Sequence, residues 1–205
     1  MTTAGDIKDI IIAAGAAFTI IREAGNVSGE YATYTLTNQA TKPITLEHFR
    51  QGYMPHDTNA AAGEVVEFDD TNERYLLTNK LPSILWNDVV RYSAVFYKCN
   101  VNSGELLRPS GEVRDDQYHM KTQWEPIKNN CDAMQVASLY GNDLEEDKAL
   151  GLLGLKKDEV YIPHSVGAQV MDRWQPASGE YYQVSVISTR RFPGVDVLIV
   201  EEDNR

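Results

Sequence analysis

The side chains in this sequence that could do acid, nucleophilic or metal chemistry stand apart from one another. His48, His56, His119 and His164 are scattered, and none falls in the H-x-x-x-H or C-x-x-C spacing that turns two ligands toward one ion. Cys99 and Cys131 are the only cysteines and sit in dissimilar contexts, which suits two buried thiols better than a bridge. The acidic pairs Asp69–Asp70 and Glu145–Glu146 could serve glycoside chemistry only if the fold opposed two carboxyl groups; as neighbours on polar stretches they read as solvated turns. "PHD", Pro55 to Asp57, holds half of an acid–base pair without a partner motif and reads as a surface loop. No G-x-x-x-x-G-K, G-x-G-x-x-G or G-x-S-x-G occurs, and "SVGAQ" after His164 lacks the strand-to-helix setting of a phosphate loop. The expectation is therefore a protein with no catalytic residues, no cofactor and no metal, and not an enzyme.

Chemistry of contact is better represented. Trp86, Trp174, Tyr92, Phe96, Tyr97, Tyr181 and Tyr182 lie in or beside strand-like runs, where alternate aromatics fill a core and the others face outward. Exposed Trp and Tyr on strands mark protein contact surfaces, so Trp86 and Trp174 are interface candidates. "TRRFPG", Thr189 to Gly194, sets Arg190, Arg191 and Phe192 at a hairpin tip with a turn proline. In an acidic chain that local basic tip suits an acidic protein partner.

The elements that must carry these residues are mostly strands. The 205 residues are 42% apolar, enough for one large domain or two small ones. A net charge of −11 argues against holding nucleic acid by phosphate neutralisation. No run of about eighteen apolar residues is present, and "MTTAGDIKD" lacks the basic and apolar regions of a signal peptide, so a cytosolic protein without a membrane span is expected. Ile7, Ile10, Ile11 and Ala14 predict a short helix stopped by Gly15. "AFTIIREAGN" and "YATYTLTN" predict two strands, and "EVVEFDD", "ERYLLTN" and "RYSAVFYKCNV" a meander. Gln39 to Gly63 carries no period and reads as a long loop. Between Pro109 and Val160, the spacing of Ala133, Val136, Ala137 and Tyr140, then Leu150, Leu152, Leu153 and Leu155, predicts a helical connector. "YIPHSVGAQVMDRW", "EYYQVSVIST" and "VDVLIVEED" predict a second set of strands.

The expected architecture is mainly β: small β-barrel or sandwich units with a short N-terminal helix and a helical connector. Its domains are 1–115, a β domain, and 116–205, the connector with a second β domain. Glu64–Val101 and Gln169–Asp203 share a layout of acidic turn, Glu, Tyr and strand, as "EVVEFDDTNERYLLTN" beside "AQVMDRWQPASGEYYQV" shows. Whether this is a duplication stays open at this level.

"AFTIIREAGNVSGEYATYT" resembles the opening strand of the head-completion (head-closure, or stopper) neck proteins of tailed bacteriophages: a short apolar strand ending in Arg22, then a Gly and Tyr turn. "GEVVEFDDTNERYLLTN", "YSAVFYKCNV" and "GEYYQVSVISTRRFPGVDVLIV" are similar to the later pattern of that family, and "YKCN" to the closing strand of some phage neck proteins. These stretches cover roughly half of the chain. The chain departs from the family in length, since such proteins are commonly one small barrel. The resemblance implies a virion protein of the head-to-tail connector that assembles in the host cytoplasm. It would form a homo-oligomeric ring, contact the portal or adaptor protein and the tail-terminator or tail-tube protein, and meet packaged DNA only transiently. No catalytic residue comes with that role. The alternatives are another neck or tail component, such as an adaptor or tail terminator, and a carbohydrate-binding β domain using Trp86, Trp124 and Trp174.

Overall fold

The structure is a computed structural model that describes residues 3–35, 48–114, 118–137 and 157–203. It opens with the expected helix, α1 (Ala4–Ala14). Thr3 Oγ1 accepts from the Asp6 N–H at 3.2 Å and Asp6 Oδ2 accepts from the Thr3 N–H at 2.7 Å, a capping box that satisfies two donors left bare by the first turn. Gly15 ends the helix because a Cβ there would lie 2.5 Å from the Ile11 carbonyl oxygen and 2.8 Å from that of Ala32.

Apart from a short 3-10 helix at His164–Val166, the remaining described elements are strands. Strands β1 (Ala16–Ile21), β2 (Val27–Thr35), β3 (Phe49–Pro55), β4 (Val65–Phe68), β5 (Glu73–Leu85) and β6 (Asp88–Lys98) close into a barrel in the order β1-β2-β3-β6-β5-β4. Strands β7 (Val101–Arg114), β8 (Met120–Ala137), β9 (Lys157–Pro163), β10 (Arg173–Gln175), β11 (Tyr182–Phe192) and β12 (Val195–Glu202) close into another in the order β7-β8-β9-β12-β11-β10. Within the barrel walls, among the described residues, closure pairs each strand on both sides. The first core is built on Phe18, Ile20, Met54, Val66, Phe68, Tyr75, Leu77 and Phe96, and the second on Leu106, Val160, Ile162, Trp174, Val184, Leu198 and Val200.

Three expectations change. The chain divides into a first unit, Met1–Cys99 with Arg190–Val195, and a second, Asn100–Thr189 with Asp196–Arg205, so β7 belongs to the second barrel and the boundary lies before residue 115. Only Cys99 and Asn100 separate β6 from β7, which leaves no Gly- or Pro-rich linker to betray the junction. Within the expected loop Gln39–Gly63, Phe49–Pro55 is a strand paired to β2 and β6. Ala133, Val136 and Ala137 lie in β8, not in a helix, while Tyr140 and Leu150–Leu155 of the expected connector lie outside the described residues.

The two barrels are the same strand order used twice, and the match reaches single residues. Ile20 pairs with Val66 and Leu106 with Trp174 at the same places in β1/β4 and β7/β10. "YMPH" (Tyr53–His56) and "YIPH" (Tyr161–His164) close β3 and β9, and an acid, Glu64 or Asp172, follows the proline after the same number of residues. The Gly63 N–H bonds the Leu77 carbonyl and the Leu77 N–H that of Glu64; Met171, Val184 and Asp172 repeat the exchange. Thr78 Oγ1 donates to Val95 O and Ser185 Oγ to Ile199 O. Such local coincidences are not dictated by barrel closure, and they identify an internal repeat.

The repeat conserves volume and not identity. Phe18 and Val66 of the first core correspond to Gly104 and Trp174 of the second. A Cβ on Gly104 would fall 2.2 Å from the Trp174 ring, so the missing side chain on one strand makes room for the indole on the other.

Candidate functional site

In each barrel one arginine, Arg22 just past β1 and Arg108 within β7, clamps one loop. Arg22, following the Ile21–Val65 pair, donates through Nε to Glu64 Oε1 and through Nη2 to Glu64 Oε2 at 3.0 Å and Asn59 O at 2.9 Å. The Ala61 N–H completes the carboxylate at 2.7 Å. In the second barrel Arg108 donates to both Asp172 oxygens and to Gly167 O, each at 2.9 Å, and the Gln169 N–H donates to Asp172 Oδ2 at 2.7 Å. Both guanidinium groups are thus occupied by a carboxylate and a carbonyl, which suits positioning rather than capture of an anion. What they position is the loop crest, Ala62–Gly63 in one barrel and Val170–Met171 in the other. Met171 holds φ 76° where Gly63 holds φ 91°, and Val170 and Met171 are 54% and 47% exposed.

The second feature is a projecting hairpin. β4 pairs only with Glu73–Leu76 of β5, and β3 pairs with β6 only as far as Arg91. Beyond that, Ile84–Leu85 and Asp88–Val89 pair with each other alone. Arg91 lies 3.9 Å over the Tyr53 ring and Lys80 lies 4.2 Å over that of Tyr92, bracing the root of the arm. Lys80 Nζ also donates to Ala60 O at 2.7 Å; burial lowers this amine from its ordinary value, against the upward pull of Glu30 and Glu64.

At the tip, Trp86 and Asn87 hold φ of 53° and 69°, both left-handed, the backbone of a two-residue turn that ordinarily takes Asn-Gly. Trp86 is 79% exposed, and Leu81, Ile84 and Leu85 are exposed with it. An exposed indole in a left-handed position costs conformational energy and gains nothing for this barrel's core. That combination is what a docking residue requires. A second exposed group, Val113, Tyr118 and Met120, lies where β7 and β8 run past the second barrel, with Arg114 over the Tyr118 ring at 4.9 Å.

Of the five contact residues expected from sequence, Trp86 stands at this tip. Trp174 does not face a partner: it is fully buried, and its Nε1 donates to Gln135 Oε1 at 2.9 Å. Arg190 and Arg191 are exposed, and Phe192 is half-buried within the first unit, its ring 5.8 Å from that of Tyr97 and nearly edge-on. Trp124 is half-buried, with the Arg173 guanidinium 3.8 Å over one face of its ring. Leu81, Ile84, Leu85, Val170 and Met171 were missed. The signal for the tip was "ILW", three consecutive apolar residues that break the alternation of a one-sided strand.

The chemical side chains remain dispersed. Among the described residues no three of His, Cys, Asp and Glu gather to hold a metal ion. His164 Nδ1 lies 2.9 Å from Asp196 Oδ1. Neither cysteine is in a disulfide and both are buried, and burial pushes the Cys131 thiol up to about 12. A thiol so held is not a nucleophile at neutral pH. No helix among the described residues is long and apolar enough to cross a membrane.

No family model and no curated protein matches the chain. Among solved structures, one of K. pneumonia MrkH shares 9% identity over 100% of this chain and 86% of that one, with a TM-score of 0.20. MrkH in its apo state gives 9%, 100%, 86% and 0.18, and its c-di-GMP complex 8%, 100%, 88% and 0.15. Likeness at that level carries neither fold nor function to this chain.

Proposed function

We propose that the protein is a structural component of a tailed-phage neck, a ring-forming head-closure protein that retains packaged DNA and docks the tail. The observation that carries the reading is the Trp86 hairpin, an apolar tip displayed beyond a closed barrel, which favours a protein that assembles over one that turns over a substrate. The chain's net charge of −11 supports it, because an acidic wall repels phosphates and lets DNA pass without adhering. On this reading the neighbours are the portal or adaptor protein on one side and the tail terminator or tail tube on the other. The site of action is the virion neck, reached from the host cytoplasm. Mixing the purified protein with DNA-filled, tailless capsids and imaging by electron microscopy tests it. Added density at the single portal vertex with reduced DNA leakage is the expected result. Particles with a bare vertex at saturating protein would refute the role.

A further inference from the structure

The internal repeat says which surface the Trp86 tip fits. From Tyr75 to Trp86 and from Tyr182 to Pro193 the outgoing strand is the same length, so counted along it the turn Trp86–Asn87 corresponds to the turn Pro193–Gly194 and Leu85 to Phe192; the return from Asn87 to Tyr97 is three residues longer than that from Gly194 to Glu201. In the first unit the Pro193–Gly194 turn rests on the loop crest that Arg22 and Glu64 clamp. A Cβ at Gly63 would lie 2.1 Å from the Gly194 carbonyl oxygen, and one at Gly194 would lie 2.3 Å from that of Ala62. Turn on crest is therefore a contact this repeat already makes once, with both backbones touching.

Two equivalent halves of that contact are exposed. One is the Trp86–Asn87 turn. The other is the Val170–Met171 crest of the second barrel, held by Arg108 and Asp172 in the same hydrogen-bond pattern and with the same left-handed φ at Met171. Where the first crest is small, Ala62–Gly63, the second carries two apolar side chains that match an apolar tip. Tyr97, which meets Phe192, is replaced at the corresponding point of β12 by Glu201, paired with Lys157 at 2.8 Å. The apolar contact at the second crest thus falls to Val170 and Met171, with an ionic rim.

We infer that the Trp86 hairpin of one copy seats on the Val170–Met171 crest of a second copy, a heterologous contact that repeats from chain to chain. Such a contact closes into a ring or propagates into a filament according to the rotation between neighbours. The inference deepens the ring-forming reading and rests on it for the identity of the occupant; the surface itself comes from the repeat.

Two singly substituted proteins test it, Trp86→Cys and Met171→Cys, carrying different tags and mixed under mild oxidation. Cys99 and Cys131 are buried and stay out of the reaction. A cross-link joining the two tags is expected on mixing, because a disulfide demands Cα atoms within about 7 Å. Val113→Cys paired with Met171→Cys gives the background for random collision. Separately, Trp86→Ser and Val170→Ser, both at exposed positions, should each raise the dissociation constant of self-association about tenfold or more. A cross-link no stronger than background in a protein that nonetheless self-associates overturns this contact and leaves the ring reading standing. A protein that stays monomeric throughout overturns both. Binding of the Trp86→Ser protein to tailless capsids as tight as that of the unsubstituted protein would overturn the contact alone.

Discussion

Replacing Arg108 with methionine should cost the second barrel about 3–5 kcal/mol, whereas the equivalent Arg22→Met should cost the first barrel only about 1 kcal/mol. The chemistry of the two clamps is the same; their solvent is not. The Asp172 side chain is 1% exposed, so removing its guanidinium leaves a carboxylate out of water with one backbone N–H as its remaining partner. Glu64 is 22% exposed and recovers hydration when Arg22 is lost. Chemical denaturation monitored by fluorescence, with Trp124 and Trp174 reporting the second barrel and Trp86 the first, separates the two effects. Combining Arg108→Met with Asp172→Leu should recover a large part of the loss, since the double change removes the stranded charge. Equal costs for the two arginines would show that burial is not what sets the strength of the clamps.

The second large effect concerns the traded core volumes. Gly104→Phe alone should prevent the second barrel from closing, because even a Cβ at that position meets the indole of Trp174 at 2.2 Å. Trp174→Val alone should leave a cavity costing about 3–5 kcal/mol. Made together they reproduce the Phe18–Val66 arrangement of the first barrel. The double variant should fold and regain most of the stability that each single change removes, read as thermal midpoint and near-ultraviolet circular dichroism. A double variant no better than the worse single one would mean that the two cores are not interchangeable at this position.

The strands legible in the sequence are those with one wet face. β2 alternates, and β4, β5 and β6 are bounded by Asp, Asn and Gly turns, so period and punctuation agree. β3 escaped because its inward residues are Gly52 and Met54 amid Arg50 and Gln51. Gly52 must lack a side chain there, since a Cβ would lie 1.9 Å from the Thr33 carbonyl oxygen, and that absence erased half of the pattern. β8 imitated a helix because Cys131, Asp132, Ala133 and Met134 are all buried, giving a run without a two-residue period. The repeat was visible only as Glu73 and Tyr75 set against Glu180 and Tyr182. Its firmest marks, the arginine clamps and the two Pro-His corners, are single residues separated by stretches whose core volumes were exchanged. The Trp86 candidate was legible because a tryptophan between strand-like runs is conspicuous. The Val170–Met171 crest was not, because only its likeness to the Ala62–Gly63 crest reveals it.

The measurement that bears most directly on the central claim is mass in solution by light scattering across a concentration series from sub-micromolar to hundreds of micromolar. An assembling neck protein with one repeated contact predicts a transition from monomer to a single closed oligomer of fixed mass, shifted to higher concentration by Trp86→Ser. A 23.0 kDa monomer at every concentration would contradict it.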